Sequence, residues 1–85
     1  MRQIIRNNEM LLIQLEGKGF ILNDRLEVRR VHHASCEAVQ AMVTPAYPKY
    51  FSEDRAASKD WLDRHFGTDG WVNCGMCYGL KSLFD

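Results

Sequence analysis

The residues of this chain best suited to chemistry are three cysteines and the histidines near one of them. Residues 74–77 read Cys-Gly-Met-Cys, a C-x-x-C motif. Two thiolates at this spacing can bind one metal ion, because a tight turn directs both sulfurs to the same point. The third cysteine, Cys36, follows His33 with two residues between them. Together they give one candidate set of zinc ligands: His33, Cys36, Cys74 and Cys77.

A zinc ion in this set would be structural, because structural zinc takes four protein ligands in a tetrahedral arrangement. All four positions are filled by side chains, so no position is left for a reactive water. The ion would also join distant parts of the chain, and closing a long loop stabilises a small domain. His32 is a rival for the histidine position, and His65 is a third possibility.

The C-x-x-C motif has two other interpretations. It is also typical of thiol–disulfide exchange proteins, and Asn73 is placed to cap a helix that would lower the pKa of the Cys74 thiol. A thiol-redox protein that uses Cys74 and Cys77 is therefore one alternative. Cys36, in turn, has the simpler interpretation of a core residue, because free cysteine is among the most buried residue types.

Other catalytic patterns are absent from the sequence. It contains no glycine-rich phosphate-binding motif. The ligand pattern of zinc deaminases requires a glutamate two residues after the first ligand, and Ser35 stands there. We therefore predict a non-enzymatic protein, and we infer no small-molecule substrate.

Composition limits the classes of partner. The 85 residues predict one domain, 1–85, and the 11 basic side chains equal the 11 acidic ones in number. Strong nucleic-acid binding needs an excess of Lys and Arg, so a zinc-finger-like nucleic-acid binder is a second, weaker alternative. No apolar run reaches the length of a membrane span and no signal peptide is recognised, which predicts a cytoplasmic protein without a membrane partner.

The N-terminal part predicts strands. Residues 10–15 and 20–22 are apolar and flank a Gly-containing turn, and residues 26–31 alternate between apolar and polar side chains. Residues 4–5 add a possible fourth strand. These segments predict an antiparallel sheet of three or four strands.

The following part predicts two helices. Ser35 is placed to cap a short helix over residues 36–43, which two prolines then end. Ser52 is placed to cap a longer helix over residues 53–66, and Gly67 follows it as expected at a helix C-terminus. The predicted fold class is α+β: a small antiparallel sheet packed with two helices, with the C-x-x-C turn closing the zinc site.

The segment 47–51 contains three aromatic side chains in a predicted loop. Tyr47 and Tyr50 are candidate binding residues, because tyrosines are common anchors of interfaces. Phe51 is instead expected to pack on the first turns of the second helix. We therefore predict a regulatory or inhibitory module that binds another macromolecule, most readily a protein, and is stabilised by zinc.

Overall fold

The computed structural model describes residues 1–25, 28–36 and 47–74. These residues form two helices and five strands, as expected for an α+β fold. In chain order the elements are β1 (Arg2–Ile4), α1 (Asn7–Glu16), β2 (Phe20–Asp24), β3 (Arg29–His33), β4 (Lys49–Ser52), α2 (Arg55–Phe66) and β5 (Val72–Asn73).

The five strands form one mixed sheet in the order β1-β4-β2-β3-β5. Three of its four pairings are antiparallel, and the register places Ile21 of β2 between Phe51 of β4 and His32 of β3. The pairing of β3 with β5 is parallel. The expectation of a purely antiparallel sheet was therefore wrong at this edge, because β5 reaches the sheet only after α2 and then runs in the direction of β3.

Each face of the sheet carries its own apolar core, because successive residues of a strand point to opposite faces. On one face, Ile21 and Phe51 pack with Met10 and Ile13 of α1. The other core contains α2 side chains and the residue before β5, and its members are Phe20, Leu22, Val31, Leu62 and Trp71. The sheet is thus associated with α1 in one core and with α2 in the other.

The strand predicted over residues 10–15 is wrong, since these residues belong to helix α1. The Leu, Met and Gln side chains of this segment are good helix formers. Only Met10 and Ile13 are buried, while Leu11 and Leu15 are 60% and 82% exposed. With apolar residues on both faces the segment has no helical periodicity. Gly17 has a φ of 67° and donates its N–H to the Ile13 carbonyl, so it ends the helix.

The second predicted helix is confirmed as α2, with a different cap. It begins at Arg55 instead of residue 53, and its N-cap is Asp54 instead of Ser52. The Asp54 carboxylate accepts hydrogen bonds from the backbone N–H of Ala56 at 2.9 Å and of Ala57 at 3.3 Å. Neither α1 nor α2 is long and apolar enough to cross a membrane.

The aromatic segment is a strand, where a loop was expected. Lys49–Ser52 forms β4, and Phe51 packs in the α1 core. The predicted packing of Phe51 on α2 was therefore wrong. Tyr50 takes that role instead, with its ring centroid 5.2 Å from that of Trp61. The predicted helix over 36–43 lies outside the described residues beyond Cys36.

Candidate metal centre

Two distant parts of the chain bring three side chains together in the α1 core. A ring nitrogen of His32 and the sulfurs of Cys36 and Cys74 all lie within 4.8 Å of one another. The two sulfurs are 3.9 Å apart, and neither is in a disulfide bond. All three residues are buried, with 4–6% of their surface exposed. These groups lie close enough together to bind one metal ion.

Strand β3 positions the first two members of the group. His32 pairs with Ile21 of β2 in the middle of the sheet, so its side chain lies on the face of the α1 core. The chain then turns, and the Cys36 N–H donates to the His33 carbonyl at 2.9 Å. This turn returns the Cys36 side chain to the face that His32 occupies.

The third member arrives from the parallel edge strand. Cys74 directly follows β5, and its N–H donates to the Val31 carbonyl of β3 at 2.8 Å. The residue before β5, Trp71, is 1% exposed and donates its indole N–H to Asp63 of α2 at 2.9 Å. Packing of Trp71 therefore fixes the strand from which Cys74 extends.

The surroundings of His32 favour its neutral form, which is the form that binds metals. Burial lowers the pKa of His32, and the positive charges of Arg30 and Lys49 lower it further. Within the described part of the chain, His32 Nδ1 is buried without a hydrogen-bond partner. A buried nitrogen of this kind is costly unless a proton donor or a metal occupies its lone pair.

The predicted ligand His33 is not part of this group. It follows His32 on β3 and therefore points to the other face, where its ring meets Phe20 edge-on at 5.4 Å. Its Nδ1 lies 2.8 Å from the Ser35 hydroxyl. The structure thus brings together two of the four predicted ligands, and His32, the rival candidate, takes the position assigned to His33.

The third histidine is also elsewhere. His65 is on α2, where it stacks on Trp61 with centroids 4.0 Å apart and donates its Nδ1 proton to the Trp61 carbonyl. Of the remaining predicted site residues, Cys77 lies outside the described residues, as do residues 75 and 76 of the same predicted turn. The sequence signal that distinguishes His32 from His33 is strand periodicity, because adjacent residues of a strand point to opposite faces.

The two candidate binding tyrosines differ in exposure. Tyr47 is 38% exposed, and the guanidinium carbon of Arg25 lies 5.1 Å from its ring centroid. Tyr50 is half-buried against Trp61. Tyr50 therefore has a structural role in packing α2 onto the sheet, whereas Tyr47 keeps an accessible ring.

Comparison of the chain with protein-family models, with curated protein sequences and with solved structures finds no match. The chemistry of the three clustered side chains is therefore the basis for interpreting the site. Imidazole and thiolate ligands together are typical of zinc centres.

Proposed function

We propose that this protein is a small non-enzymatic domain held together by a structural zinc ion, with His32, Cys36, Cys74 and Cys77 as ligands. The observation that supports it most directly is the close approach of the first three in a buried cluster. Cys77 follows Cys74 at the spacing of a zinc-binding turn and would complete the tetrahedron.

The distance between the two clustered sulfurs supports a metal. Two sulfurs that each lie about 2.3 Å from one zinc ion at the tetrahedral angle are about 3.8 Å apart. The separation of Cys36 Sγ and Cys74 Sγ is 3.9 Å. Zinc also suits a mixed set of imidazole and thiolate ligands better than magnesium or calcium, which prefer oxygen. A reducing cytoplasm, the compartment we propose, keeps such thiols available to the metal.

The proposed ion has a mechanical role. It would connect the turn after β3 with the chain after β5, across a sequence separation of 38 residues. Strand β5 has only two residues and lies at the edge of the sheet, so few backbone hydrogen bonds hold it. A metal bond at Cys74 would fix this edge far more firmly than strand pairing does.

Elemental analysis of protein purified without added metal tests the centre, together with a matched pair of histidine variants. We expect about one zinc per chain in the wild type. His32→Gln should lower zinc affinity by more than about tenfold, since even residues outside the first coordination shell contribute about 10–100-fold. His33→Gln changes the adjacent residue on the opposite face and should leave the affinity nearly unchanged. Circular dichroism of both variants verifies that they fold.

Cobalt(II) in place of zinc reports on the ligands themselves. A tetrahedral centre with thiolates gives visible d–d absorption and a sulfur-to-metal charge-transfer band, and each of Cys36→Ser, Cys74→Ser and Cys77→Ser should weaken that band. Wild-type protein without metal, or loss of binding in His33→Gln alone, would contradict the proposed ligand set.

For the role of the stabilised domain, we propose binding to another protein that offers a complementary apolar surface. Helix α1 supports this, because Leu11, Leu12 and Leu15 are 60–82% exposed on it. Burying such side chains against a partner removes apolar surface from water, which is favourable. The balanced charge of the chain is less suited to nucleic acid.

A direct binding measurement tests this role. Proteins captured by the immobilised domain are identified, purified and titrated against the wild type. The double variant Leu11→Ser/Leu15→Ser should bind the partner at least about tenfold more weakly, which corresponds to a loss of about 1.4 kcal/mol in binding free energy. Val28→Ser, which alters a 41% exposed side chain outside α1, should bind as the wild type does. Equal affinity of all three proteins, or binding to nucleic acid at low salt and to no purified protein, would exclude this role.

A further inference from the structure

The two clustered thiols are placed to react with each other as well as to bind a metal. Their sulfurs are 3.9 Å apart, and a disulfide requires about 2.05 Å. Both backbones are anchored to the same strand, since the Cys36 N–H donates to His33 and the Cys74 N–H to Val31. Because both backbones are held on β3, rotation of the two side chains is the motion available to close the remaining gap between the sulfurs.

We propose that Cys36 and Cys74 form a redox switch, in which hydrogen peroxide converts them to a disulfide and releases the metal ion. The release of metal rests on the proposed zinc centre. A disulfide removes the thiolate character of both sulfurs, and thiolates are the ligand form. One ion therefore cannot keep these two ligands once they are linked, so the metal and the disulfide exclude each other.

The reaction is a two-step oxidation. The thiolate of one cysteine attacks a peroxide oxygen, the O–O bond breaks, and a sulfenic acid and hydroxide form. The thiolate of the other cysteine then attacks the sulfenic sulfur, which forms the S–S bond and expels a second hydroxide. Two protons from solvent convert both hydroxides to water. In total, two zinc-bound thiolates, one peroxide and two protons give one disulfide, a free zinc ion and two water molecules; sulfur is oxidised and peroxide oxygen is reduced.

Both states of the switch hold the same two places of the chain together. The zinc ion and the disulfide each connect the turn after β3 with the end of β5, so the sheet keeps its edge in either state. What changes is the surroundings of the connection. Oxidation releases the proposed ligands His32 and Cys77 from the metal, while Cys36 and Cys74 stay in the α1 core and gain a covalent link.

The C-x-x-C pair is the competing disulfide, and the sequence allows an unambiguous test because the chain has three cysteines. Cys77→Ser leaves Cys36 and Cys74 as the remaining thiols. Cys36→Ser leaves Cys74 and Cys77. Each variant can therefore form at most one intramolecular disulfide, and intact mass reports a disulfide as the loss of two hydrogens.

The experiment uses the zinc-loaded full chain and stoichiometric hydrogen peroxide. A chromogenic chelator follows zinc release, and mass spectrometry of non-reduced peptides identifies the link. We expect wild type and Cys77→Ser to form the Cys36–Cys74 disulfide, Cys36→Ser to form none, and zinc release from the wild type to parallel the link. Dithiothreitol with added zinc should restore the metal-bound state.

The outcomes separate this switch from the zinc centre on which it rests. Zinc-containing protein that forms a Cys74–Cys77 link, or that yields sulfinic acids without any link, refutes the switch and keeps the centre. Protein that purifies without metal and still forms the Cys36–Cys74 link refutes the centre and supports the thiol pair as the reactive unit.

Discussion

Two adjacent histidines of β3 have different surroundings because a strand presents successive residues to opposite faces. His32 lies with the two cysteines in the α1 core, while His33 meets Phe20 in the α2 core. One position in sequence therefore separates a residue that can bind a metal with the cysteines from one that cannot. Spacing to Cys36 does not reveal this difference, since it counts residues and ignores the direction of the side chain.

A second unusual residue on the sheet is Lys49, which is 6% exposed. Its ammonium group donates to the Asn23 side chain at 3.0 Å and to the Tyr47 carbonyl at 3.2 Å. Among the described residues, no carboxylate pairs with it. An ammonium group that donates only to neutral acceptors does not fully recover the hydration free energy that it loses on burial.

This burial predicts a pH dependence of stability. Burial lowers the pKa of Lys49 below its ordinary value of 10.5. As the pH rises through the folded-state pKa towards 10.5, the folded protein loses this proton before the unfolded chain does. The unfolded state then binds more protons, so the contribution of Lys49 to the free energy of unfolding increases with pH in this window.

Urea denaturation of the wild type and of Lys49→Met, from neutral pH to 10.5, measures this effect. The free energy of unfolding of the wild type minus that of the variant should rise towards the alkaline end. Subtraction removes the titration of the other groups that both proteins share. A difference that is constant or falls with pH would contradict the prediction.

At the scale of elements, β5 shows how a very short strand can be held in place. Its two residues pair with β3 at the edge of the sheet, and the residue before it supplies the anchor. Trp71 is buried in the α2 core and is hydrogen-bonded to Asp63. The helix therefore positions Cys74 indirectly, through the indole ring three residues earlier.

Trp71→Phe tests this anchor, because it keeps an aromatic ring and removes the N–H donor. We expect the free energy of unfolding to fall by about 1–3 kcal/mol, because a smaller ring fills less of the α2 core and the hydrogen bond to Asp63 is lost. Metal affinity should fall as well, since β5 is held less firmly. Urea denaturation and zinc competition measure the two effects.

The control for this variant is Lys59→Met, which removes an ion pair with Asp63 instead of the indole hydrogen bond. That ion pair spans 3.0 Å and is partly exposed, so its loss should cost less than about 1 kcal/mol and leave metal affinity unchanged. Equal effects of the two substitutions on metal affinity would show that Trp71 has no special role in positioning the centre.

Helix α1 is also an element whose position depends on tertiary packing. Two side chains, Met10 and Ile13, attach it to the sheet, and three of its leucines remain exposed. A helix with such a small buried face gains little from amphipathic periodicity, and most helical stability in proteins comes from tertiary contacts. The segment was mistaken for a strand because its apolar residues are nearly continuous and therefore show no helical period.

At the scale of the whole molecule, binding of the proposed zinc ion is coupled to folding. A ligand that binds the folded state alone stabilises it by about 2.7 kcal/mol when its free concentration is 100 times Kd. In a domain of this size, a change of 1 kcal/mol in the free energy of unfolding shifts Tm by about 4–8 °C. Removing the metal should therefore lower Tm by roughly 10–20 °C.

Thermal denaturation with and without a chelator measures this shift. Cys36→Ser, which removes one proposed ligand and weakens binding, serves as the control and should have a Tm that responds less to the chelator than that of the wild type. A wild-type Tm that is the same in both conditions would mean that no metal contributes to the stability of the fold.

The sequence was informative where the signal is local. Helix α2 was predicted within two residues of its start because its apolar stripe and Gly67 lie inside one short segment, although its cap is Asp54 instead of Ser52. Strand β2 was likewise predicted from a short apolar run. The β1–β4 and β3–β5 pairings escaped prediction, because partners in a sheet are chosen by long-range packing that no local pattern records.

The sequence by itself therefore marked the histidines and cysteines that could bind a metal, the glycine turn at residue 17, and α2 to within two residues of its start. The tertiary structure alone decided that His32 instead of His33 joins the cysteines, and that Cys36 and Cys74 meet at 3.9 Å. The physical reason is that a side chain's direction follows from strand register and from the parallel docking of β5. Both depend on contacts between residues that are far apart in the chain.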